Sequence, residues 1–260
     1  MSDMKKYIYI LLCLLTVSCA KTERPAVDES TVIYVTIDNR SAKARLGTSG
    51  FVAWQAGDSI AVFNQETKQR EIFKLHSGAG MSTASFDGRK MEGELFYAYY
   101  PVTAKCDGKT FKLSLPVQVE LGVPVQIFNS MPLLGVSTNP SEITVNQLCG
   151  ILQLNVSGTE KLKSVKLESV AKAIAGEMLY NVERGIAAMG ATASHIIIMD
   201  AEGTELSTYR STPLRFILPP SEYTDLKVTL YMDSGLSRTF PLNETVQITP
   251  GSLIEKEITK

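Results

Sequence analysis

Few residues of this sequence combine the types and spacing that a catalytic or metal site requires. The thiol and imidazole side chains are widely scattered, and they belong to Cys13, Cys19, Cys106, Cys149, His76 and His195. They do not have the spacing of zinc ligands. The chain also lacks the Gly-x-Ser-x-Gly and His-Glu-x-x-His motifs of common hydrolases, and it shows no plausible acid pair. We therefore expect no catalytic residue, no metal and no cofactor.

Three features resemble chemistry but have simpler interpretations. Asp58 follows Gly57 after a lone tryptophan, where a carboxylate caps a tight turn and glycine tolerates a positive φ. The Gly78–Gly80 stretch lacks the Lys-Ser/Thr of a phosphate loop and is typical of a hairpin. For Cys106 and Cys149 we favour free, small buried thiols, with a disulfide as the alternative.

The N-terminus carries the clearest chemical signal, because a cysteine follows an export sequence. Lys5-Lys6 precede an apolar run from Tyr7 to Leu15, which is too short to span a membrane as a helix. Ser18-Cys19 then resembles the lipobox of bacterial lipoproteins, in which the cysteine is acylated and becomes the mature N-terminus. We predict lipidation of Cys19, with ordinary signal cleavage near Ser18 or Ala20 as the alternative.

The stretch from Thr31 to Arg45 joins a predicted strand to a predicted cleavable loop. Thr31–Ile37 is β-branched and aromatic, a composition that packs well in a sheet. The residues that follow are polar and basic, with Arg40 and Arg45, and indicate an exposed loop that a protease could enter. A strand tethered through such a loop could be held by its own sheet or exchanged for another.

Length and composition indicate a packed globular protein. The chain has 260 residues, of which 44% are hydrophobic and 20% charged, values that argue against disorder. The net charge is −1, which gives no reason to expect nucleic acid as a partner.

The hydrophobic pattern predicts an all-β fold. Leu152, Leu154 and Val156 alternate with polar residues at a period of two, and many other short runs end at Pro or Gly. Only residues 168–175 resemble a helix, and that stretch is too short and β-branched. The proline- and glycine-rich connection at 116–140 suggests two tandem β-sandwich domains of roughly 100 residues each.

These observations predict four segments. They are a signal peptide at 1–19, a tether at 20–30, an N-terminal β-sandwich domain at 31–140 and a C-terminal one at 141–260.

Several motifs occur in a fixed order along the chain. A Trp-x-x-Gly-Asp-x-Ile-x-Val-Phe pattern begins at Trp54, Ala98-Tyr99-Tyr100-Pro101 ends an aromatic strand, and Leu152–Val156 opens the second half. Together with the lipoprotein-like start and the arginine-bearing segment, this order resembles the fimbrillin-like pilin family of Bacteroidetes, the subunits of type V pili.

The resemblance implies two transthyretin-like sandwiches, export as an outer-membrane lipoprotein and assembly into surface fimbriae. In related pilins an arginine-specific protease cuts after the first strand, and a strand from another subunit fills the exposed groove by β-augmentation. Cys19 matches the lipidated position, and Arg45, then Arg40, match the cleavage position. The exchangeable strand corresponds to Val32, Ile33, Tyr34, Val35, Thr36 and Ile37.

We therefore expect a non-enzymatic shaft, anchor or tip subunit that supports adhesion. Its partners would be other pilin subunits, by strand addition, and the outer membrane, through a lipid anchor. The alternative is a monomeric outer-surface lipoprotein that binds glycans or host proteins on exposed aromatic side chains. Trp54 is the only tryptophan and lies in a predicted core strand, which disfavours that alternative. Residues 252–260 could pair within their own domain or act as a donor strand.

Overall fold

A computed structural model describes residues 29–39, 52–121 and 131–258, and it contains strands but no helix within these ranges. None of these residues therefore belongs to a helix able to cross a membrane. In chain order the strands are β1 (Ser30–Asp38), β2 (Ser59–Asn64), β3 (Arg70–Ser77), β4 (Thr83–Arg89), β5 (Phe96–Tyr100), β6 (Lys105–Cys106), β7 (Thr110–Leu115), β8 (Gln118–Glu120), β9 (Leu133–Ser137), β10 (Glu142–Gln147), β11 (Gly150–Val156), β12 (Lys161–Glu168), β13 (Ala175–Asn181), β14 (Ile186–Ser194), β15 (Ile196–Glu205), β16 (Thr212–Leu218), β17 (Ser221–Tyr223), β18 (Lys227–Met232), β19 (Ser237–Pro241), β20 (Val246–Ile248) and β21 (Leu253–Ile258).

The all-β prediction is confirmed, and so are several local predictions. β5 ends at Tyr100, directly before Pro101, and β16 ends at Leu218, directly before Pro219. The connection at 116–140 contains the two short strands β8 and β9. Residues 169–174 form a loop between β12 and β13, and the Gly78–Gly80 stretch lies in the hairpin between β3 and β4.

Seven strands form a closed barrel in the order β1-β10-β9-β5-β2-β3-β4, and β4 returns to β1. Closure leaves no free strand edge in this sheet. β2 and β5 are buried along nearly their whole length. Phe111 of β7 explains part of this burial, since it packs on Tyr99 of β5 with ring centroids 5.3 Å apart.

The remaining strands form four further sheets. A three-stranded sheet, β16-β11-β21, and a five-stranded sheet, β19-β18-β12-β15-β8, contribute to a second hydrophobic cluster. β14-β13-β7-β6 form another sheet, and β17 pairs with β20. The predicted alternation in β11 is confirmed, because Leu152, Leu154 and Val156 are buried in that cluster.

Strands that precede residue 140 pair with strands that follow it. β10 belongs to the barrel, β7 pairs with β13, and β8 pairs with β15. Within β11, Ile151 belongs to the hydrophobic cluster of the barrel, whereas the next residue, Leu152, belongs to the second cluster. The division into 31–140 and 141–260, and the transthyretin-like arrangement of two sandwiches, remain predictions.

Candidate functional site

The candidate site is the position of β1 in the barrel, where the strand has a neighbour on each side. β1 pairs antiparallel with β4, from Ser30 opposite Arg89 to Thr36 opposite Thr83. It pairs parallel with β10, from Tyr34 opposite Glu142 onward. We call the space between β4 and β10 that β1 fills the β1 groove. Without β1, the barrel would be open along two strand edges.

The side chains of β1 alternate between the interior and the solvent, as expected for a strand with one buried face. Ile33, Val35 and Ile37 are at most 3% exposed and belong to the barrel core. Val32 is 43% exposed, and Tyr34 is 54% exposed. All six predicted residues therefore lie in β1, but only Ile33, Val35 and Ile37 fill the groove.

Burial of these three side chains is the main energetic contribution of β1. At about 1.5–3 kcal/mol for each buried Val or Ile, they contribute roughly 5–9 kcal/mol. This is comparable to the whole net stability of a typical domain. A barrel that lost β1 and gained nothing in its place would therefore be marginal.

Trp54 lies beneath β1 and bonds to its main chain. The indole Nε1–H donates to the carbonyl oxygen of Val35 at 3.1 Å. The indole ring packs edge-on against Phe86, with centroids 4.9 Å apart, and against Tyr100. Since the acceptor is a main-chain carbonyl, any strand at this depth could supply it. Trp54 lies in the core, as predicted, but outside the strands.

The turn after Trp54 fixes its position. The Asp58 carboxylate accepts the Gln55 N–H at 2.7 Å, and the Asp58 N–H donates to the Gln55 carbonyl at 3.0 Å. Gly57 has a φ of 89°, a conformation that glycine adopts without the cost of a side chain. The predicted role of Asp58 as a turn cap is confirmed.

Burial changes the acid–base properties around this turn. Desolvation raises the pKa of Asp58, although the hydrogen bond from the Gln55 N–H opposes the change. Desolvation, and then the negative charge of Asp58, raises the pKa of Tyr100 to about 12. Burial is thus the main cause of both changes.

A side-chain network holds the end of β1. Asn39 is buried, and its Nδ2 donates to the Val52 carbonyl at 2.9 Å. Its Oδ1 accepts from Nε2 of Gln147, at the end of β10, at 3.0 Å. Unlike the Trp54 bond, this contact requires a particular side chain on the strand. Sequence reasoning did not identify it, because no local pattern relates two residues 108 positions apart.

At the other end of β1, the barrel has a small cleft whose lining includes the exposed residues Lys90 and Ser141. This cleft has a volume of about 130 Å³, lies beside Ile33 and is also lined by Phe73, Met91 and Phe96. Lys90 pairs with Glu29 on the surface at 2.9 Å. The groove has room here for an apolar side chain larger than isoleucine.

The other sequence candidates do not assemble into a chemical site. Within residues 29–39, 52–121 and 131–258, no group of His, Cys, Asp and Glu could hold a metal ion. Cys106 and Cys149 are free thiols, and burial raises the pKa of both. His195 is exposed and lies between the ends of β14 and β15.

Three predicted site residues lie outside the described residues. These are Cys19, Arg40 and Arg45. Lipidation at the first and proteolysis after the other two remain predictions. Arg40 directly follows Asn39, so a cut there would fall immediately after the network that ends β1.

The last strand has its own partner in this structure. β21 pairs parallel with β11, from Ile151 opposite Leu253 to Val156 opposite Ile258. It lies at the edge of a three-stranded sheet. Of the two possibilities left open by the sequence, the structure has this segment paired within its own chain.

Comparison with known proteins gives a likeness in fold. No model of a known protein family matches the sequence, and no curated protein does. A solved structure of a proposed cell adhesion protein from Bacteroides ovatus is similar, with a TM-score of 0.57 at 15% identity, over 88% of this chain and 92% of the other. A proposed cell adhesion protein from Bacteroides uniformis has a TM-score of 0.56 at 16% identity, over 90% and 94%. The chain therefore has the fold of these proteins.

A more distant likeness involves the tip fimbrial protein Mfa3 of Porphyromonas gingivalis, solved with a C-terminal truncation. It covers 81% of each chain at 12% identity. Its TM-score of 0.40 is too low to establish a common fold.

Two matched substitutions on β1 test the energetic role of its inward face. Val35→Ala should lower the free energy of unfolding by about 2 kcal/mol, because it leaves a cavity in the barrel. Val32→Ala, the same change on the outward face, should lower it by less than ~0.5 kcal/mol. Denaturant unfolding of both variants measures the difference. Equal effects would mean that burial of the inward face does not hold β1 in place.

Proposed function

We propose that this chain is a structural subunit of cell-surface fimbriae, of the fimbrillin-like pilin family, that assembles by strand exchange and supports adhesion. The observation that carries the proposal is the position of β1, between β4 and β10 with an apolar inward face. The fold shared with proposed Bacteroides cell adhesion proteins supports it. Shaft, anchor and tip roles all remain open.

In this proposal, proteolysis converts β1 from a tethered strand into an exchangeable one. A cut after Arg45 or Arg40 separates β1 from the rest of the barrel while leaving its ladders and buried side chains in place. β1 then leaves only when another strand displaces it, since an empty groove would lose several kcal/mol of apolar burial. A strand from a second subunit fills the groove and joins the two molecules.

The contacts of the groove are suited to a strand of different sequence. The main-chain ladders on both sides and the bond from Trp54 to a carbonyl oxygen can form with the backbone of any strand. Specificity would come from apolar side chains at alternate positions and from the amide required by Gln147 and Val52. The cleft beside Ile33 would accept a bulkier residue from the incoming strand.

As a lipoprotein, the protein would lie at the cell surface. Export and acylation of Cys19 would anchor a subunit in the outer membrane, and a fimbria would carry adhesion outward from it. We propose no enzymatic role. Glycan binding on Trp54 is disfavoured because that side chain is only 2% exposed.

Cleavage by an arginine-specific protease tests the assembly step. The wild-type chain should lose its segment up to Arg40 or Arg45 and then form higher-order species, seen by mass spectrometry and size-exclusion chromatography. The matched control is Arg40→Lys with Arg45→Lys, which keeps both charges but removes both cleavage sites. It should not form these cleavage-dependent species, and the two single variants identify the cut. A wild-type chain that is cut yet remains monomeric would refute a polymerising role.

A competing peptide shows whether the groove is the route of assembly. A peptide with the sequence of residues 29–39 should slow polymerisation of the cut chain, because it refills the groove. A control peptide with Ile33→Ser, Val35→Ser and Ile37→Ser should have little effect. Equal effects of the two peptides would argue for assembly through another surface.

Metabolic labelling tests the anchor separately. Cells given a labelled fatty acid should incorporate it into the wild-type chain and not into Cys19→Ser, and only the wild type should sediment with membranes. Labelling of both proteins would show that Cys19 is not the acylated residue. Labelling of neither would favour ordinary signal cleavage.

A further inference from the structure

β14 is a long strand with one unpaired edge. It pairs with β13 on one side and stands at the end of the sheet β14-β13-β7-β6. Within the described residues, no backbone hydrogen bond joins Ile186–Ala193 to a strand on its other side. The outward-pointing N–H and C=O groups of these eight residues therefore lie along an open edge, which can act as a template for another strand.

The composition of β14 differs from that of the other edges. Natural proteins protect exposed edges with charged residues or proline, and also with β-bulges. In the described ranges, β14 is the one edge strand longer than three residues that has neither a charged residue nor proline, since β16 contains Pro213 and Arg215, β19 contains Arg238 and Pro241, and β21 contains Glu255, Lys256 and Glu257. The sequence of β14 is Ile-Ala-Ala-Met-Gly-Ala-Thr-Ala-Ser. Its register against β13 shifts between Met189 and Ala193, so the regular part of the edge that is open to pairing is Ile186–Met189.

A shallow groove runs beside the same edge. It has a volume of about 280 Å³ and is lined by Ala187, Ala188 and Met189 of β14 and by Pro219 and Pro220. Ile186 adds an apolar side chain that is 58% exposed. An added strand would thus find ladder partners on β14 and a small apolar groove for its side chains.

Two charged side chains near this edge have hydrogen-bond or ion-pair partners within the chain. Lys172 lines the groove, and its ammonium donates to the Ser221 hydroxyl at 3.0 Å and to the Glu222 carbonyl at 2.7 Å. Glu177 of β13 stands against Gly190 and forms an ion pair with Lys112 at 3.0 Å. The edge therefore favours an uncharged partner with small side chains.

We propose that the partner is a second copy of this chain, with its β14 antiparallel to the first across a twofold axis. In such a contact β14 of one copy pairs with β14 of the other. A charged side chain on this strand would therefore lie opposite or close to the same charge on the second copy. β14 has none, and its alanines are small enough for the shallow groove. The two four-stranded sheets would become one continuous sheet.

This contact goes beyond strand exchange in the barrel. β1 and β14 belong to different sheets, so pairing at β14 leaves β1 in place. It would join two subunits side by side, and in a fimbria it would link neighbouring filaments.

The test uses chains that cannot exchange β1. The exported chain carries Cys19→Ser, to prevent lipidation, and Arg40→Lys with Arg45→Lys, to prevent the proposed cut. Sedimentation equilibrium over a series reaching about 100 μM, a range that detects weak association, should show a reversible dimer. Ala188→Lys in this background should weaken dimerisation at least about tenfold, because each copy would bury a charge at the contact.

Ser237→Lys is the matched control, since it adds the same charge at an exposed position of β19, another edge strand. It should dimerise like the parent, and circular dichroism checks that both variants are folded. Hydrogen exchange at residues 186–194 should slow as the dimer fraction rises. A parent chain that stays monomeric at every concentration, or Ala188→Lys that dimerises as the parent does, would overturn the pairing. Failure here would leave strand exchange at β1 unaffected, because these chains retain β1.

Discussion

The structure depends on β1 completing a barrel whose other strands cannot close without it. One face of β1 supplies Ile33, Val35 and Ile37 to the core, and its two edges satisfy the main chains of β4 and β10. Apolar burial and ladder bonds therefore act at the same place. Because buried main-chain groups must be paired, the groove requires an occupant. These contacts alone do not require that the occupant be β1 itself.

The contacts to β1 fall into two classes with different consequences. The ladder bonds and the Trp54–Val35 bond are made to the backbone of β1, whereas Asn39 binds Gln147 and Val52 through its side chain. The first class gives affinity for any extended strand, and the second gives a position-specific requirement at one end. A groove built mainly from the first class is suited to exchange. The Asn39 network would then set the register of the incoming strand.

The sequence predicts where strands form better than it predicts which strands pair with each other. The β-branched run at Thr31–Ile37 and the period of two at Leu152–Val156 indicate strands because alternation is a local property of a strand with one buried face. Pro101 and Pro219 end strands for an equally local reason, since proline cannot donate to a ladder. These predictions agree with the structure.

Long-range pairing is not encoded in such patterns. Nothing in the composition of Glu142–Gln147 indicates that it lies parallel to β1, and nothing near Asn39 indicates Gln147. Likewise, the run of β1 predicts alternation but not which set of residues faces inward. For the candidate site, the sequence thus identified the strand, while its groove, its bond to Trp54 and its amide network depend on tertiary structure.

Trp54 offers a direct measurement of the central claim, because it is the only tryptophan and lies beneath β1. Its fluorescence quenching by acrylamide can be compared between the intact chain and polymers from which the released segment has been removed. If another strand fills the β1 groove, Trp54 in the polymer should be as shielded as in the intact chain. A polymer that lacks the original segment but leaves Trp54 open to quencher would show that the groove is empty and that assembly does not proceed by strand replacement.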